Sequence, residues 1–198
     1  MDNFVITVSR QFGSLGRPIA RKIANKLNIA YYDRDLLEKA ATILNEDLKS
    51  LSSMEESIKL PFAKALFPLG IGTSSAHRRL FKVQESLIHE CVAKSNCVIV
   101  GRCADYVLRN YARRFSVMIY APLDVRITNS INDLRIPEYE VSDYVKEIDK
   151  ARDSYHRFFT GENLDTVKYR NLLIDSSSMS QDEIADTIIE TARRKLNF

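Results

Sequence analysis

Short apolar runs separated by segments with helical spacing constrain the fold of this chain most strongly. Four of these runs are mostly unalternated, as strands covered on both faces of a sheet are. They are Phe4 to Val8, Cys97 to Val100, Phe115 to Tyr120 and Leu172 to Ile174. Ala30-Tyr31-Tyr32 is a candidate fifth strand. We therefore expect about five buried strands.

Helical stripes lie between these runs. Ile19, Ile23 and Leu27 recur at every fourth position, which gives residues 18–27 one apolar face. Similar stripes occupy residues 34–49, 81–93 and 182–196. Alternating strands and helices predict an α/β fold in three layers, in which helices flank a parallel sheet and the crossovers are right-handed.

Composition limits the class of protein. With 198 residues, of which 45% are hydrophobic, one domain spanning residues 1–198 is expected. A formal net charge of +3 favours a small anionic partner over a broad nucleic-acid surface. No secretory signal opens the chain and no apolar stretch approaches the ~20 residues of a membrane span, so we expect a cytoplasmic protein without a membrane partner. The three cysteines and three histidines lack the spacing of metal ligands, which indicates ordinary buried thiols, and no pattern indicates an oligomeric state.

Two segments depart from the alternation. Residues 50–80 contain several prolines, glycines and serines, and we interpret them as a mobile insertion. Residues 123–170 form a second irregular region that is rich in charge. Because long segments outside the sheet of a compact α/β domain usually cover a site, both are expected to lie over a ligand.

The segment from Gln11 to Pro18 follows the first strand and resembles a phosphate loop, G-x-x-x-x-G-K-[ST]. Gly13 and Gly16 keep a turn before a helix, whose N-terminal amides favour an anion. Arg17 replaces the lysine and can bind phosphate oxygens through two N–H groups. Pro18 suits a first helical position but has no hydroxyl for Mg²⁺. The alternative is an ordinary strand-to-helix turn without a ligand.

Residues 6–20 and 28–33 together resemble the cytidylate kinase-like family, whose loops read S-R-[EQ]-[FY]-G-S-x-G-R. Three further segments match the family in the same order, namely residues 98–108, 149–157 and 171–177. Two positions depart from the family pattern: Leu15 and Pro18 stand where glycine and glutamate are more familiar.

The resemblance implies a P-loop nucleoside-kinase-like fold with a substrate-binding insertion over residues 50–80 and a lid over residues 123–160. It also implies transfer of the γ-phosphoryl group of ATP to CMP or dCMP with Mg²⁺, and small-molecule nucleotides as partners. A nucleotide-binding protein with little turnover is the main alternative, and Pro18 favours it. A nucleic-acid binder is a weaker alternative because no recognition motif accompanies the arginines.

The family also implies roles for particular residues. The ATP phosphates would be bound by the loop residues Gly13, Ser14, Leu15, Gly16 and Arg17. Arg17 would act in catalysis together with the lid residues Arg152 and Arg157, which would close over the transferring group. Because five residues turn a helix by ~140°, these two lid arginines need not share a face, and one of them is open to a structural role.

The acceptor residues are assigned to the carboxyl ends of strands, where open α/β sheets bind ligands. Arg102 would hold the acceptor phosphate with Asp105 nearby, although it could also cap its own turn. Asp33 either faces the acceptor, holds water on Mg²⁺ or caps the following helix. Arg126 is assigned to the donor base, with a solvated surface arginine as the alternative. Arg10 belongs to the family loop without an evident role.

Overall fold

The computed structural model describes residues 2–33, 35–45, 71–134 and 138–198. In chain order, the elements are β1 (Val5–Arg10), α1 (Gly16–Leu27), β2 (Ala30–Tyr32), α2 (Asp35–Leu44), α3 (Ile71–Lys94), β3 (Cys97–Val100), α4 (Ala104–Val107), β4 (Arg114–Tyr120), α5 (Leu123–Leu134), α6 (Glu138–Thr160), β5 (Leu172–Asp175) and α7 (Gln181–Leu196). All five predicted strands are present.

The strands form one sheet in the order β2-β3-β1-β4-β5, and every neighbouring pair is parallel. β1 lies at the centre, and its residues Val5 to Ser9 are all buried. Continuous burial explains why this strand lacks the alternation of a half-exposed strand. The predicted five-stranded parallel sheet is confirmed.

Two apolar clusters cover the two faces of the sheet. Ile6 and Val8 on one face pack with residues of α1 and α7, such as Ile23 and Ile188. On the other face, Val5 belongs to a cluster formed mainly by α2, α3 and α4. The chain therefore has the predicted three layers, with helices on both faces of the sheet.

The sequence-based boundaries were wrong in two places. Helix α3 begins at Ile71, ten residues before the predicted start at residue 81, although Gly72 and two serines lower its intrinsic helix propensity. The region 123–170, predicted to be irregular, contains the whole of α5 and α6. A buried stripe of apolar residues organises α6 within its charged sequence: Val141, Val145, Ile148 and Ala151. Residues 50–70 of the predicted insertion lie outside the described residues.

The connections place a crevice at the carboxyl edge of the sheet. From β1 the chain crosses to β2 on one side, whereas from β3 it crosses to β4 on the other side. Adjacent strands whose connections leave in opposite directions open a crevice beyond their carboxyl ends, and such crevices bind ligands in open α/β sheets. The ends of β1 and β3 therefore locate the candidate site.

Two further expectations concern the cysteines and the absence of a membrane span. All three cysteines are unbonded and buried, as predicted. Among the helices that the structure describes, none has the length and apolar character needed to cross a membrane.

Candidate functional site

The loop between β1 and α1 has the backbone of an anion site. Gly13 (φ 74°) and Leu15 (φ 57°) both adopt left-handed conformations, and α1 begins directly afterwards at Gly16. Turns of this kind direct successive N–H groups to one side, next to the positive end of the helix. The first bond of α1 runs from Ile19 N–H to the Leu15 carbonyl at 3.1 Å. Pro18 is thus the third helical residue, not the predicted first, but its missing N–H still falls among the unbonded positions of the first turn.

Gly13 and Ser14 are fixed by contacts inside the protein. A Cβ atom on Gly13 would lie 2.3 Å from the Arg126 carbonyl oxygen, so only glycine fits. Ser14 is fully buried, and its hydroxyl lies 2.9 Å from the Gln11 carbonyl oxygen, to which it donates. This hydroxyl therefore stabilises the loop from within, where it also lies 3.2 Å from the Ile119 carbonyl oxygen.

Arg126 and Asp149 hold the loop against α5 and α6. Arg126 donates to the carbonyl oxygens of Ala121 at 3.0 Å and Phe12 at 3.1 Å, and it pairs with Asp149. Asp149 also accepts the Phe12 N–H at 2.7 Å. Arg126 was assigned from the sequence to the donor base, but it is only 8% exposed. In this structure its guanidinium group supports the loop backbone instead of presenting an open face to a base.

A cavity opens at the carboxyl ends of β1 and β3, as the topology indicates. Its lining combines Ser9, Arg10, Arg17, Gly101, Arg102, Cys103, Asp105, Arg152, Tyr155, His156 and Leu164. Four of these residues are arginines, from the end of β1, the start of α1, the turn after β3 and α6. The sequence analysis assigned roles to Arg17, Arg102 and Arg152, and the structure brings these three together.

Arg17 forms an ion pair with Asp33 at the rim of the cavity. The Nε atom of Arg17 lies 2.5 Å from Asp33 Oδ2, and Nη2 lies 3.4 Å from Oδ1. Tyr31 donates its hydroxyl to the same carboxylate at 3.3 Å, and burial, followed by the charge of Asp33, raises the pKa of Tyr31 to about 12. The Arg17 side chain is 53% exposed, so solvent or a ligand can reach it.

Arg102 and Asp105 belong to the turn after β3 and to α4. Burial, followed by the nearby positive charge of Arg10, lowers the pKa of Arg102 to about 10. The Asp105 carboxylate pairs with Arg170 and accepts from His156 Nε2 at 3.0 Å. Burial on its own would raise the pKa of Asp105, but the His156 hydrogen bond and the charge of Arg170 outweigh it and bring the pKa to about 2. Asp105 lines the cavity as a carboxylate that two basic side chains already hold.

The two lid arginines occupy different faces of α6, as their angular separation predicts. Arg152 lines the cavity, and its guanidinium carbon lies 5.3 Å from the centre of the Phe12 ring. Arg157 is 59% exposed and lies 3.4 Å from Asp153, one turn earlier in the helix. The structure therefore brings Arg152 to the site and leaves Arg157 outside the cavity.

The carboxyl-terminal half of α6 is docked on the rest of the domain. Tyr155 donates to Gln84 Oε1 on α3 at 3.0 Å, and the rings of Phe81 and Phe159 stack with centres 4.2 Å apart. His156 adds its bond to Asp105 from the next position in the helix. These contacts fix the direction in which Arg152 enters the cavity.

The residues fit a bound phosphate chain better than a metal ion bound only by protein. Within the described ranges, no three histidine, cysteine or acidic side chains come together as a metal site. Asp33 is the carboxylate at the cavity rim beside Arg17. Mg²⁺ that is bound mainly by phosphate oxygens and water needs only one or two carboxylates, and Asp33 suits that arrangement.

The residues of the site for which the sequence predicted no role include Arg10, Asp149, His156 and Arg170. Arg10 ends β1 just as Arg102 follows β3, so the rule that assigned Arg102 to the strand edge also applies to Arg10. For Arg170 no local signal exists, because its partner Asp105 is 65 residues away in the sequence. Asp149 begins the segment 149–157, for which the family resemblance indicated a lid without a role for this residue.

Comparisons with known proteins agree on the class of fold. The sequence pattern of the cytidylate kinase-like family matches residues 5–178. A cytidylate kinase from Clostridium botulinum is 26% identical over 98% of this chain and 100% of its own length. An uncharacterized protein from Eubacterium ventriosum superposes with a TM-score of 0.73 at 21% identity, covering 96% of this chain and 98% of the other. A gluconokinase from Sinorhizobium meliloti gives a TM-score of 0.58 at 12% identity, covering 98% and 94% of the two chains.

Proposed function

Because this chain belongs to the cytidylate kinase-like family, we propose that it transfers the γ-phosphoryl group of ATP to a nucleoside monophosphate, with CMP or dCMP as the preferred acceptor. One observation carries the proposal: Arg10, Arg17, Arg102 and Arg152 line one cavity beside an anion-binding turn. Phosphoryl transfer requires mainly alignment and stabilisation of charge, and a cluster of arginines supplies both.

The donor phosphates bind at the loop. The backbone N–H groups of Gly13, Leu15 and Gly16 surround the phosphate chain, and Ser14 keeps the turn closed through its internal hydrogen bond. Arg17 binds the β- and γ-phosphates after it exchanges the carboxylate of Asp33 for phosphate oxygens. Asp33 would help to hold Mg²⁺ bound to ATP, and the ion would neutralise negative charge on the phosphates.

The transfer itself uses Arg152. An oxygen of the acceptor phosphate forms a new bond to the γ-phosphorus while the bond from that phosphorus to the β–γ bridging oxygen breaks, so that ADP leaves. Arg152 neutralises the charge on the moving group, and its contact with Phe12 links it to the donor loop. Arg157 was assigned to the same step from the sequence, but its exposed position supports a role on the surface of α6.

The acceptor phosphate binds to Arg102 in the turn after β3. The preference for cytosine follows the named relative and the family resemblance. We assign recognition of the base to the predicted insertion over residues 50–80. Asp105 contributes indirectly, because it joins the turn after β3 to α6 through His156.

The test is ADP release with ATP and Mg²⁺ in the presence of CMP, dCMP, UMP, AMP, gluconate or no acceptor. Release that depends on CMP or dCMP and falls at least ~100-fold in Arg17→Ala supports the proposal. Arg21→Ala is the matched control because Arg21 is exposed on the same helix and packs over Tyr31. Turnover with gluconate alone would contradict the choice of acceptor.

A nucleotide-binding protein with little turnover is the second candidate. Pro18 has no hydroxyl for Mg²⁺, and the hydroxyl of Ser14 is committed to the Gln11 carbonyl oxygen. This candidate predicts that ATP raises the melting temperature of the wild type, that Arg17→Ala abolishes the increase, and that no acceptor in the panel produces ADP.

A further inference from the structure

Arg10 spans the distance between the donor loop and the turn after β3. A Cβ atom on Gly16 would lie 2.6 Å from Arg10 Cβ, so the base of the side chain passes against the start of α1. A Cβ atom on Gly101 would lie 2.5 Å from Arg10 Nη1, so the guanidinium group ends at the turn that carries Arg102. Glycines at both positions leave the space through which Arg10 extends.

Four arginines line the cavity around Arg10. Among the described carboxylates, Asp105 lines the cavity and is held by Arg170 and His156, and Asp33 pairs with Arg17 at the rim. The charges of Arg10 and Arg102 are close enough to oppose each other in a partly buried space. Two like charges held together in this way favour an anion with two negative charges between them.

The geometry points to Arg10 and Arg102 as a paired site for the phosphate group of the acceptor. Arg10 starts at the donor loop, but its guanidinium group lies on the acceptor side, against Gly101. Arg10 therefore adds a second cation to the acceptor-phosphate site that the proposed function assigns to Arg102. This inference rests on the proposed function and deepens it, since it names a further residue that binds the phosphate group whatever the base.

Equilibrium binding tests this assignment without turnover. Calorimetric titrations with CMP, cytidine and magnesium-free ATP compare the wild type with Arg10→Gln, in which the charge is removed. Arg10→Lys is the second variant, because it keeps a positive charge in the same space but loses the planar fork. Arg109→Gln is the matched control, since Arg109 is exposed and packs on Tyr106 outside the cavity.

We expect CMP to bind the wild type and cytidine to bind at least ~10-fold more weakly. Arg10→Gln is expected to weaken CMP binding by at least ~10-fold and ATP binding by less than about threefold, while Arg10→Lys lies between wild type and Arg10→Gln for CMP. If Arg10→Gln does not fold, a loss of CMP affinity of several fold in Arg10→Lys with ATP affinity unchanged supports the assignment. Unchanged CMP affinity in the folded variants, or equal losses for CMP and ATP, would overturn it.

A separate titration distinguishes failure of this inference from failure of the proposed function. If no nucleoside monophosphate binds the wild type, the proposed acceptor class fails, and titration with inorganic phosphate then decides the role of Arg10. Phosphate binding that is lost in Arg10→Gln and kept in Arg109→Gln supports the paired site. Phosphate binding that survives in Arg10→Gln, or no phosphate binding to the wild type, would overturn the assignment of a paired site.

Discussion

Two of the arginine–aspartate pairs in this site, Arg17–Asp33 and Arg170–Asp105, differ in the exposure of their arginine. Arg17 and Asp33 pair at the rim, where the arginine side chain is 53% exposed. Arg170 and Asp105 pair inside the domain, where the arginine side chain is 0% exposed and His156 adds a second bond to the carboxylate. The guanidinium group is therefore in contact with solvent in the first pair and buried in the second.

Because their arginines differ in exposure, the two pairs are suited to different roles. Solvent reaches Arg17, although the Asp33 side chain is only 6% exposed, so Arg17 can exchange its carboxylate partner for phosphate at small cost. A buried pair cannot separate without leaving an unpaired charge in a medium of low polarity, so the ion pair stays intact in the folded protein. Arg17 is accordingly suited to bind phosphate, whereas Arg170 and Asp105 hold α4 and α6 in place around the cavity.

The largest expected effect comes from breaking the buried pair. Asp105→Asn leaves Arg170 buried without an anionic partner, and we expect the free energy of unfolding to fall by about 3–5 kcal/mol. Urea denaturation at neutral pH measures this loss. The matched control is Asp186→Asn, because Asp186 forms an exposed ion pair with Lys26 at 2.7 Å, and the loss of this pair should leave stability nearly unchanged. Equal effects in the two variants would remove the distinction between buried and exposed pairs.

The pH dependence of protein stability provides an independent check on the buried pair of Asp105 and Arg170. The folded protein lowers the pKa of Asp105 from 3.8 to about 2. A carboxyl group with a lowered pKa stabilises the fold above its unfolded value, and this contribution disappears as the pH falls through the folded value. The stability gap between wild type and Asp105→Asn should therefore be constant from neutral pH to about pH 5 and shrink by roughly 2 kcal/mol below pH 4. A gap that stays constant down to pH 2.5 would contradict the assigned ionisation.

Replacing Asp33 in the pair at the rim should change stability less than replacing Asp105, and it should also change the affinity for ATP. Asp33→Asn should change the free energy of unfolding by no more than about 1 kcal/mol, because Arg17 remains in contact with solvent. Magnesium-free ATP should bind about 5-fold more tightly, since the carboxylate no longer competes with phosphate for Arg17. Calorimetric titration measures the change, with Asp186→Asn again as the control. Weaker ATP binding would show that Asp33 supports the orientation of Arg17 instead of competing with phosphate.

The two arginine–aspartate pairs also show which parts of the site can be predicted from the sequence. Arg17 and Arg102 were found because each follows a strand or loop with a local pattern, and local patterns determine where the carboxyl edge of a parallel sheet lies. The partners of Asp105 were not found, because His156 and Arg170 are 51 and 65 residues away and only the packed fold brings them together. The fold class was predictable for a related reason: the periodicity of strands and helices is repeated along the whole chain.

The smallest expected effect concerns Arg157 on α6. Arg157 is exposed and pairs with Asp153 one turn earlier, an arrangement that contributes less than about 0.5 kcal/mol. Arg157→Ala should therefore leave the unfolding free energy and the rate of ADP release nearly unchanged. Arg152→Ala, which removes a cavity arginine from the same helix, should slow ADP release by ~100-fold. Steady-state assays of both variants make the comparison. A large loss of rate in Arg157→Ala would mean that α6 rotates or closes during turnover and brings its second face to the phosphates, as the sequence-based assignment of Arg157 requires.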